Sequence, residues 1–271
     1  MSKVRAAVVQ MTSGPDLDAN LGATDRLVRQ AATEGASIVV LPECFAYLGP
    51  EQGKLALAEA LPKGGPILER CRDLAKQLSV ELVLGGFWEI GSDSAHVRNA
   101  CVHLDATGTV RSVYRKVHLF DVDLPDGPKL KESDTVEPGT ELITADTILG
   151  KLGLSVCYDV RFPELYRKLV DQGAIAIAVP AAFTLTTGKD HWHVLLRARA
   201  IESQCYVLAA AQFGKHFGNR VSYGHALISD PWGCVLAECG DGEGVAVATI
   251  DSDTVSRVRA SLPSLSHRVL K

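Results

Sequence analysis

The order of apolar and polar segments along the chain predicts an α/β fold whose first half has parallel strands. Apolar runs predict strands at residues 6–10, 37–41 and 80–84. Apolar residues at the helical period of 3.6 predict helices between these strands, one from about Asn20 to Gly35 and one from near Pro66. Asn20 is the expected N-cap and Gly35 the expected stop of the first helix. This β-α-β-α-β order is typical of parallel pairing.

The middle of the chain has a different pattern. Residues 99–104 and 109–115 predict a hairpin around a turn at 105–108, so the sheet is expected to be mixed. Residues 121–139 follow as a long polar connection that contains Pro and Gly. A connection of this length inside a compact domain is typically functional or disordered, and the candidate residues on both sides of it favour function.

A second half repeats the alternation of strands and helices. The predicted strands lie at 152–156, 174–179, 206–211, 224–229, 235–238 and 245–250, and the helices at 162–172, 191–204 and from the N-cap Asp251. Residues 35–45 and 173–183 share their spacing of Gly, Pro and Phe, which indicates a faint internal duplication. Two such halves predict a four-layer α-β-β-α sandwich of two mixed sheets. No linker is visible, so residues 1–271 are expected to form a single domain.

Composition argues against several classes of protein. The 271 residues are 46% hydrophobic and 22% charged, as in ordinary globular proteins. The net charge of -4 gives no basic surface for nucleic acid, and no apolar window is long enough to cross a membrane. The N-terminal residues do not resemble a signal peptide. The seven cysteines contain no CxxC pair, so we expect no disulfide framework, no zinc site and a cytoplasmic location.

Cys157 is the first candidate for chemistry. It ends an apolar strand and precedes a turn and a helix whose first turn contains Pro163 and Glu164. The N-terminus of a helix favours a thiolate, which predicts a reactive nucleophile. The alternative is a buried structural cysteine, because free cysteine is among the most buried residue types.

Three charged residues are further candidates. Glu43 ends a predicted strand, where desolvation would raise its pKa towards that of a general base; the alternative is a solvated or helix-capping acid. Lys116 lies in a basic cluster at the end of the hairpin, and facing inward it would stabilise an oxyanion, whereas such clusters usually mark a solvated surface. Glu132 in the long connection is by itself a surface acid, and its candidate role is to hold Lys116.

These motifs together resemble the nitrilase superfamily of carbon-nitrogen hydrolases. The similarity rests on Leu41-Pro42-Glu43, on residues 114–119 and on residues 157–164, and it extends over essentially the whole chain. The resemblance implies the α-β-β-α sandwich, no metal or organic cofactor, and a homodimer or larger homo-oligomer. It also implies a catalytic triad of Glu43, Lys116 and Cys157, with Glu132 as a second glutamate.

Residues 181–207 are most similar to the deaminated-glutathione amidases of this superfamily. That similarity implies an acidic amide as substrate and a cysteine thioester as intermediate, with 2-oxoglutarate and cysteinylglycine as products. Arg161 is the expected partner of a substrate carboxylate. Tyr47, Tyr158, Phe183 and Thr187 are expected to line the substrate pocket, and the Tyr158 N–H to hold the oxyanion.

Alternatives stay open at this point. Residues 120–123 and 131–133 are also similar to the closely related omega-amidases, which act on 2-oxoglutaramate, and N-carbamoyl hydrolysis is a third possibility. A papain-like enzyme would use His191 or His225 as its base, and a non-catalytic protein would bind a small molecule or a partner. The chain also departs from its relatives at His193, where they usually have glutamate, and in a shorter C-terminus.

Overall fold

The computed structural model describes residues 3–123 and 129–270. Its helices are α1 (Leu17–Thr33), α2 (Glu51–Ala56), α3 (Pro66–Leu78), α4 (Pro163–Asp171), α5 (Leu185–Ser203) and α6 (Ser252–Ser261). Its strands are β1 (Val4–Met11), β2 (Ile38–Val40), β3 (Glu81–Ile90), β4 (Val97–Leu104), β5 (Val110–Arg115), β6 (Asp121–Asp123), β7 (Lys129–Lys131), β8 (Thr144–Thr147), β9 (Gly150–Leu154), β10 (Ala176–Ala178), β11 (Tyr206–Ala209), β12 (Ala211–Lys215), β13 (Val221–Tyr223), β14 (Leu227–Ser229), β15 (Val235–Glu238) and β16 (Gly244–Ile250). Short 3-10 turns occupy Glu132–Asp134 and Cys157–Arg161.

Two mixed sheets carry all of these strands except β6 and β7. The first has the order β13-β12-β1-β2-β3-β4-β5, with β16 antiparallel to β1, and the second has the order β15-β14-β11-β10-β9-β8. Strands β1, β2 and β3 are parallel, as are β9, β10 and β11, and the remaining neighbours are antiparallel apart from the β1–β12 pair. The prediction of two mixed sheets is therefore confirmed.

Alternation along β1 shows how the layers are stacked. Ala7 and Val9 pack in a core with Leu27 of α1 and Leu74 of α3. The intervening residues, represented by Val8, point to the opposite face, into a core shared with the second sheet, α4 and α5. Because successive side chains of a strand point to opposite faces, one strand contributes to both cores. The four-layer α-β-β-α sandwich is thereby confirmed.

The faint internal duplication corresponds to equivalent positions in the two sheets. β2 is the middle strand of the parallel trio in the first sheet, and β10 is the middle strand of the parallel trio in the second. The segments that follow these strands, Leu41-Pro42-Glu43 and Val179-Pro180-Ala181, both lie at the carboxyl end of a sheet. This arrangement brings the ends of the two halves together.

The first helix begins earlier than predicted, and Asn20 is not its N-cap. Asp16 takes that position, and its side chain accepts a hydrogen bond from the Ala19 N–H at 3.0 Å. Asn20 is buried and bonds instead to the backbone of Gly14 and Ala46. The prediction of Asn20 as the N-cap is therefore wrong, because the sequence pattern does not distinguish a cap from a buried amide that holds two loops together.

Helix α5 also begins earlier than predicted, at Leu185. Gly188 lies in its first turns, where a Cβ would lie 2.2 Å from the Tyr223 side chain. The glycine therefore allows α5 to approach β13 closely and does not interrupt the helix.

The strand predicted at residues 206–211 is two strands in different sheets. β11 ends at Ala209 in the second sheet, and β12 begins at Ala211 and pairs with β1 in the first. The short elements α2, β8 and β13 were not predicted at all. In the long connection, β6 and β7 form an antiparallel pair that leads to Glu132; the part of that prediction that falls on residues 124–128 lies outside the described residues. Among the helices of residues 3–123 and 129–270, none combines the length and the apolar character that a membrane span requires.

Candidate active site

The site lies where the two sheets meet, at the carboxyl ends of β2 and β9. Glu43 follows β2, and Cys157 follows β9. The Ala182 N–H, from the loop after β10, donates to Glu43 Oε2 at 2.8 Å, and the Cys157 N–H donates to the Pro180 carbonyl at 2.9 Å. One loop of the second half therefore positions both residues, as expected for reactive groups at strand ends of α/β proteins.

Lys116 joins Glu43 and Cys157 in a buried cluster. Its Nζ lies 3.1 Å from Glu43 Oε1 and 2.8 Å from Glu132 Oε2. The Cys157 thiol is hydrogen-bonded to the Glu43 carboxylate. Exposed fractions are 4% for Glu43, 2% for Lys116 and 7% for Cys157, so water screens these charges weakly. The structure thus brings all four predicted catalytic residues together.

The electrostatics of the cluster place the proton on sulfur. Burial raises the pKa of Glu43, but the Lys116 charge and hydrogen bonds from Cys157, Ala182 and Asn99 outweigh burial and hold it below the usual value. Burial and the Glu43 charge raise the pKa of the Cys157 thiol well above its usual value. Burial opposes the charge of Lys116, yet Glu132 and Glu43 keep its pKa well above the usual value.

Two sequence-based expectations about these groups are therefore wrong. Glu43 does not have a raised pKa, because its hydrogen bonds and Lys116 compensate for burial. Cys157 is not a thiolate favoured by a helix, since α4 begins only at Pro163 and the carboxylate beside the sulfur repels a negative charge. The cluster holds a thiol next to a carboxylate, which is the pairing of a nucleophile with its base.

Glu132 is oriented by three donors, one on β4 and two in the segment between β5 and β6. Its Oε2 accepts from the Phe120 N–H at 2.7 Å as well as from Lys116. Its Oε1 accepts from Asn99 Nδ2 at 3.1 Å. The long connection therefore delivers an acid that shares Lys116 with Glu43.

Asn99 was not singled out from the sequence. It lies on β4 with 1% of its surface exposed, and its Nδ2 donates to Glu43 Oε1 at 2.9 Å and to Glu132 Oε1. One amide group thus separates two carboxylates that would otherwise repel each other. The available signal was an amide among the apolar residues of a predicted strand, because a buried amide needs polar partners.

Asp159 fastens the nucleophile turn to the hairpin that carries Lys116. Its fully buried carboxylate accepts from the Tyr114 hydroxyl at 2.7 Å, from the Val156 N–H at 2.8 Å, and from His118, whose Nδ1 lies 2.7 Å away. The His118 ring also stacks on Phe162, with ring centroids 3.6 Å apart. These contacts join the motif at residues 114–119 to the motif at residues 157–164 through their polar side chains and the stacked rings.

Unusual backbone conformations accompany the reactive residues. Cys44 and Cys157 have φ values of 61° and 49°, in the left-handed region that non-glycine residues rarely occupy. Gly86, with φ 59°, lies in a β-bulge of β3 directly beside Glu43. A Cβ there would lie 2.4 Å from the Cys44 nitrogen and 2.7 Å from Glu43 Cγ. The strand predicted at 80–84 stops short of Gly86, although a glycine that interrupts a strand is a sign of close backbone approach.

A cavity of about 90 Å³ opens onto the cluster. Glu43, Lys116 and Cys157 line it together with Tyr47, as predicted, and with Arg220, which was not predicted. We call it the main cavity.

A second, smaller pocket shares Cys157 with the main cavity as a lining residue. Tyr158, Phe183 and Thr187, which the sequence predicted as substrate contacts, line this pocket. Arg161 lines neither pocket; its guanidinium lies over the Phe183 ring at 5.1 Å and over the Tyr158 ring at 5.8 Å. Arg161 therefore borders the second pocket through these two rings.

The histidines of the alternative interpretations have other partners. His191 Nδ1 lies 3.3 Å from the Arg161 guanidinium. His193, the departure from the expected glutamate, and His225 both bond to Glu238 Oε1, at 2.8 and 2.9 Å. The ligand atoms of these last three residues lie within 4.8 Å of one another, close enough to hold a metal ion outside the catalytic cluster. A papain-like pairing of Cys157 with a histidine is not what this geometry supports.

Known proteins are similar to this chain over nearly its whole length. The family model described as "Carbon-nitrogen hydrolase" matches residues 5–260. "Deaminated glutathione amidase" of Synechocystis sp. (strain PCC 6803 / GT-S) is 46% identical, covering 99% of each chain. The Homo sapiens protein of the same name is 45% identical, covering 97% of this chain and 81% of its own. The crystal structure of C. elegans NitFhit has a TM-score of 0.93 at 43% identity, covering 99% of this chain and 66% of that chain.

The bulge at Gly86 provides a test of how the Glu43 loop is held. We expect Gly86→Ala to lower the free energy of unfolding by at least about 2 kcal/mol, from left-handed strain and from the clash with Cys44 and Glu43. Gly22→Ala, on the exposed face of α1 with nothing within 4 Å of the new Cβ, is the control and should raise stability by about 0.5–1 kcal/mol. Urea unfolding at constant m-value measures both; equal effects would show that close approach at Gly86 is unimportant.

Proposed function

Because the chain belongs to the carbon-nitrogen hydrolase family of the nitrilase superfamily, we propose that it is an amidase that cleaves deaminated glutathione to 2-oxoglutarate and cysteinylglycine. The observation that carries this proposal is the buried cluster of Glu43, Lys116 and Cys157 in a chain 45–46% identical to proteins named for that activity. Carbon-nitrogen hydrolysis follows from the family, and the particular substrate follows from these relatives.

The first half of the reaction forms a thioester. Glu43 takes the proton from the Cys157 sulfur, and the sulfur attacks the amide carbonyl carbon. The Lys116 ammonium and the Tyr158 N–H stabilise the negative charge that develops on the carbonyl oxygen. Glu43 then donates its proton to the amide nitrogen, the C–N bond breaks, and cysteinylglycine leaves. The low pKa of Glu43 suits this role, because the free enzyme begins with a carboxylate ready to accept a proton.

The second half hydrolyses the thioester. Glu43, again a carboxylate, removes a proton from a water molecule that attacks the thioester carbonyl. The C–S bond breaks, 2-oxoglutarate is released, and the proton returns to sulfur. Throughout both halves Glu132 keeps Lys116 charged and oriented, so the cation faces each oxyanion in turn.

We also propose a location in the cell and an oligomeric state. The cysteines of the described residues are unpaired, which supports a reducing, cytoplasmic environment. Large hydrophobic side chains are exposed on the outer face, including Val194 at 67% and Trp232 at 58%, which supports a homodimer or larger homo-oligomer. The single domain spanning residues 1–271 stays a prediction.

The thioester provides the first test of the mechanism. Intact-mass measurement after mixing with deaminated glutathione should detect a 2-oxoglutaryl adduct on the wild-type chain and none on Cys157→Ala. Cys44 lines the same cavity, so Cys44→Ala is the matched control and should keep the adduct. An adduct that survives in Cys157→Ala would remove this residue from the mechanism.

A substrate panel tests the identity of the amide. We expect kcat/KM to be highest for deaminated glutathione and lower for 2-oxoglutaramate. For an N-carbamoyl amino acid it should be at least about 100-fold lower, because polar groups of the site that bind the 2-oxo acid would lose their partners, at a cost of several kcal/mol. A preference for 2-oxoglutaramate would make the enzyme an omega-amidase, and a preference for the carbamoyl compound would overturn the proposal.

Asn99 provides a test through pH. In Asn99→Leu, Glu43 loses a hydrogen-bond donor and comes under the unshielded charge of Glu132, so its pKa should rise. The acid limb of kcat/KM, which reports the free Glu43 carboxylate, should then move to higher pH, while kcat/KM at pH 7 falls roughly tenfold. The alkaline limb is the internal reference. A uniform loss without movement of the acid limb would assign Asn99 a purely structural role.

A further inference from the structure

Arg220 lines the main cavity, and the mechanism described above gives this cation no role. The other cations that line the cavity are paired: Lys116 with two glutamates, Lys54 with Glu51, and Lys131 with Asp134. The Arg220 side chain makes no hydrogen bond or ion pair with any residue of the ranges 3–123 and 129–270. A guanidinium that faces a reactive cavity without a carboxylate partner is complementary to an anionic ligand.

Glu51 is an acid whose charge interacts with that of Arg220, but its carboxylate is already bonded to other residues. The Arg220 charge helps to lower the pKa of Glu51, after the larger effects of Lys54 and Thr135 have overcome burial. Glu51 Oε2 lies 2.5 Å from Lys54 Nζ and 2.5 Å from the Thr135 hydroxyl. Glu51 therefore closes a local pair with Lys54 and leaves Arg220 available to a ligand.

The backbone of Arg220 is held in place relative to the catalytic cluster. Its N–H donates to the Phe217 carbonyl at 2.9 Å, and its carbonyl accepts from the His216 N–H at 3.0 Å. The His216 ring bonds to the Ser13 carbonyl and to the Ser222 hydroxyl, both at 2.8 Å. Ser13 in turn donates to the carbonyl of Phe45, two residues from Glu43. The hairpin that presents Arg220 is thus tied to the loop that presents the base.

The position of Glu43 decides which part of the substrate reaches Arg220. Glu43 must donate a proton to the leaving nitrogen, and it lines the main cavity. The second pocket contacts Cys157, but neither Glu43 nor Lys116 lines it. The leaving group therefore lies in the main cavity, and the acyl group extends towards the second pocket, which Arg161 borders.

We propose that Arg220 binds the carboxylate of the leaving amine and so selects amides whose leaving group is a peptide with a free C-terminal carboxylate. This inference rests on the proposed function, in which that group is the glycine carboxylate of cysteinylglycine. Its two oxygens suit the two parallel N–H groups of a guanidinium. An amide that releases only ammonia has no group for Arg220 to bind, so this residue distinguishes the peptide amide from 2-oxoglutaramate.

The test compares two substrates in one variant. In Arg220→Gln, the ratio of kcat/KM for deaminated glutathione to kcat/KM for 2-oxoglutaramate should fall roughly 30- to 100-fold, mainly through KM for the peptide substrate. Arg220→Lys, which keeps the charge and loses the bidentate geometry, should recover part of the ratio. Arg111→Gln, an exposed site on β5, is the control and should leave the ratio unchanged.

A second measurement needs no variant. Deaminated glutathione with its glycine carboxylate converted to a carboxamide should lose a similar factor with the wild-type enzyme, and Arg220→Gln should add little to that loss. Equal losses for both natural substrates in Arg220→Gln, or an undiminished rate with the carboxamide, would overturn the inference. A wild-type enzyme inactive on both substrates would instead refute the proposed function, before any variant is compared.

Discussion

The rest of the site depends on one constraint, the burial of the Lys116 charge between two carboxylates. A charge removed from water is strongly unfavourable unless it is paired and hydrogen-bonded. Glu43 and Glu132 provide the pairing, and Asn99 lies between them as a shared donor. The consequence is chemical as well as structural. A permanently charged ammonium keeps Glu43 ionised, and ionised Glu43 keeps the neighbouring thiol protonated until a substrate arrives.

This constraint explains why so much of the chain contributes to a small site. The base, the ammonium, the second glutamate and the nucleophile come from four separate segments, and each must be held within hydrogen-bond distance of at least one of the others. The Gly86 bulge allows the Glu43 loop to approach β3, and Asp159 fastens the nucleophile turn to the hairpin of Lys116. The long connection, for which the sequence favoured a functional role, is needed because it delivers Glu132.

Charge pairing also organises recognition around the cluster. Cations that line the main cavity and have acidic partners maintain the structure, whereas Arg220 has none among the described residues. Arg161, the residue first expected to bind a substrate carboxylate, borders the second pocket through the rings of Phe183 and Tyr158. One cation lines the main cavity and another borders the second pocket, which suits a substrate with a carboxylate at each end, so selectivity follows from where these side chains lie relative to the scissile bond.

The sequence by itself determined the layers of the fold and the identity of the reactive groups. Apolar periodicity predicted most helices and strands, because burial of one face is a local property of each element. The motifs around Glu43, Lys116 and Cys157 carried the family resemblance because each is a short run of consecutive residues that can be read without the fold. The tertiary structure alone decided that residues 206–215 cross between sheets, that Asn99 joins two carboxylates, and that Arg220 faces the cavity. It also decided the protonation states, because the pKa of Glu43 depends on a balance between burial and partners that are distant in sequence.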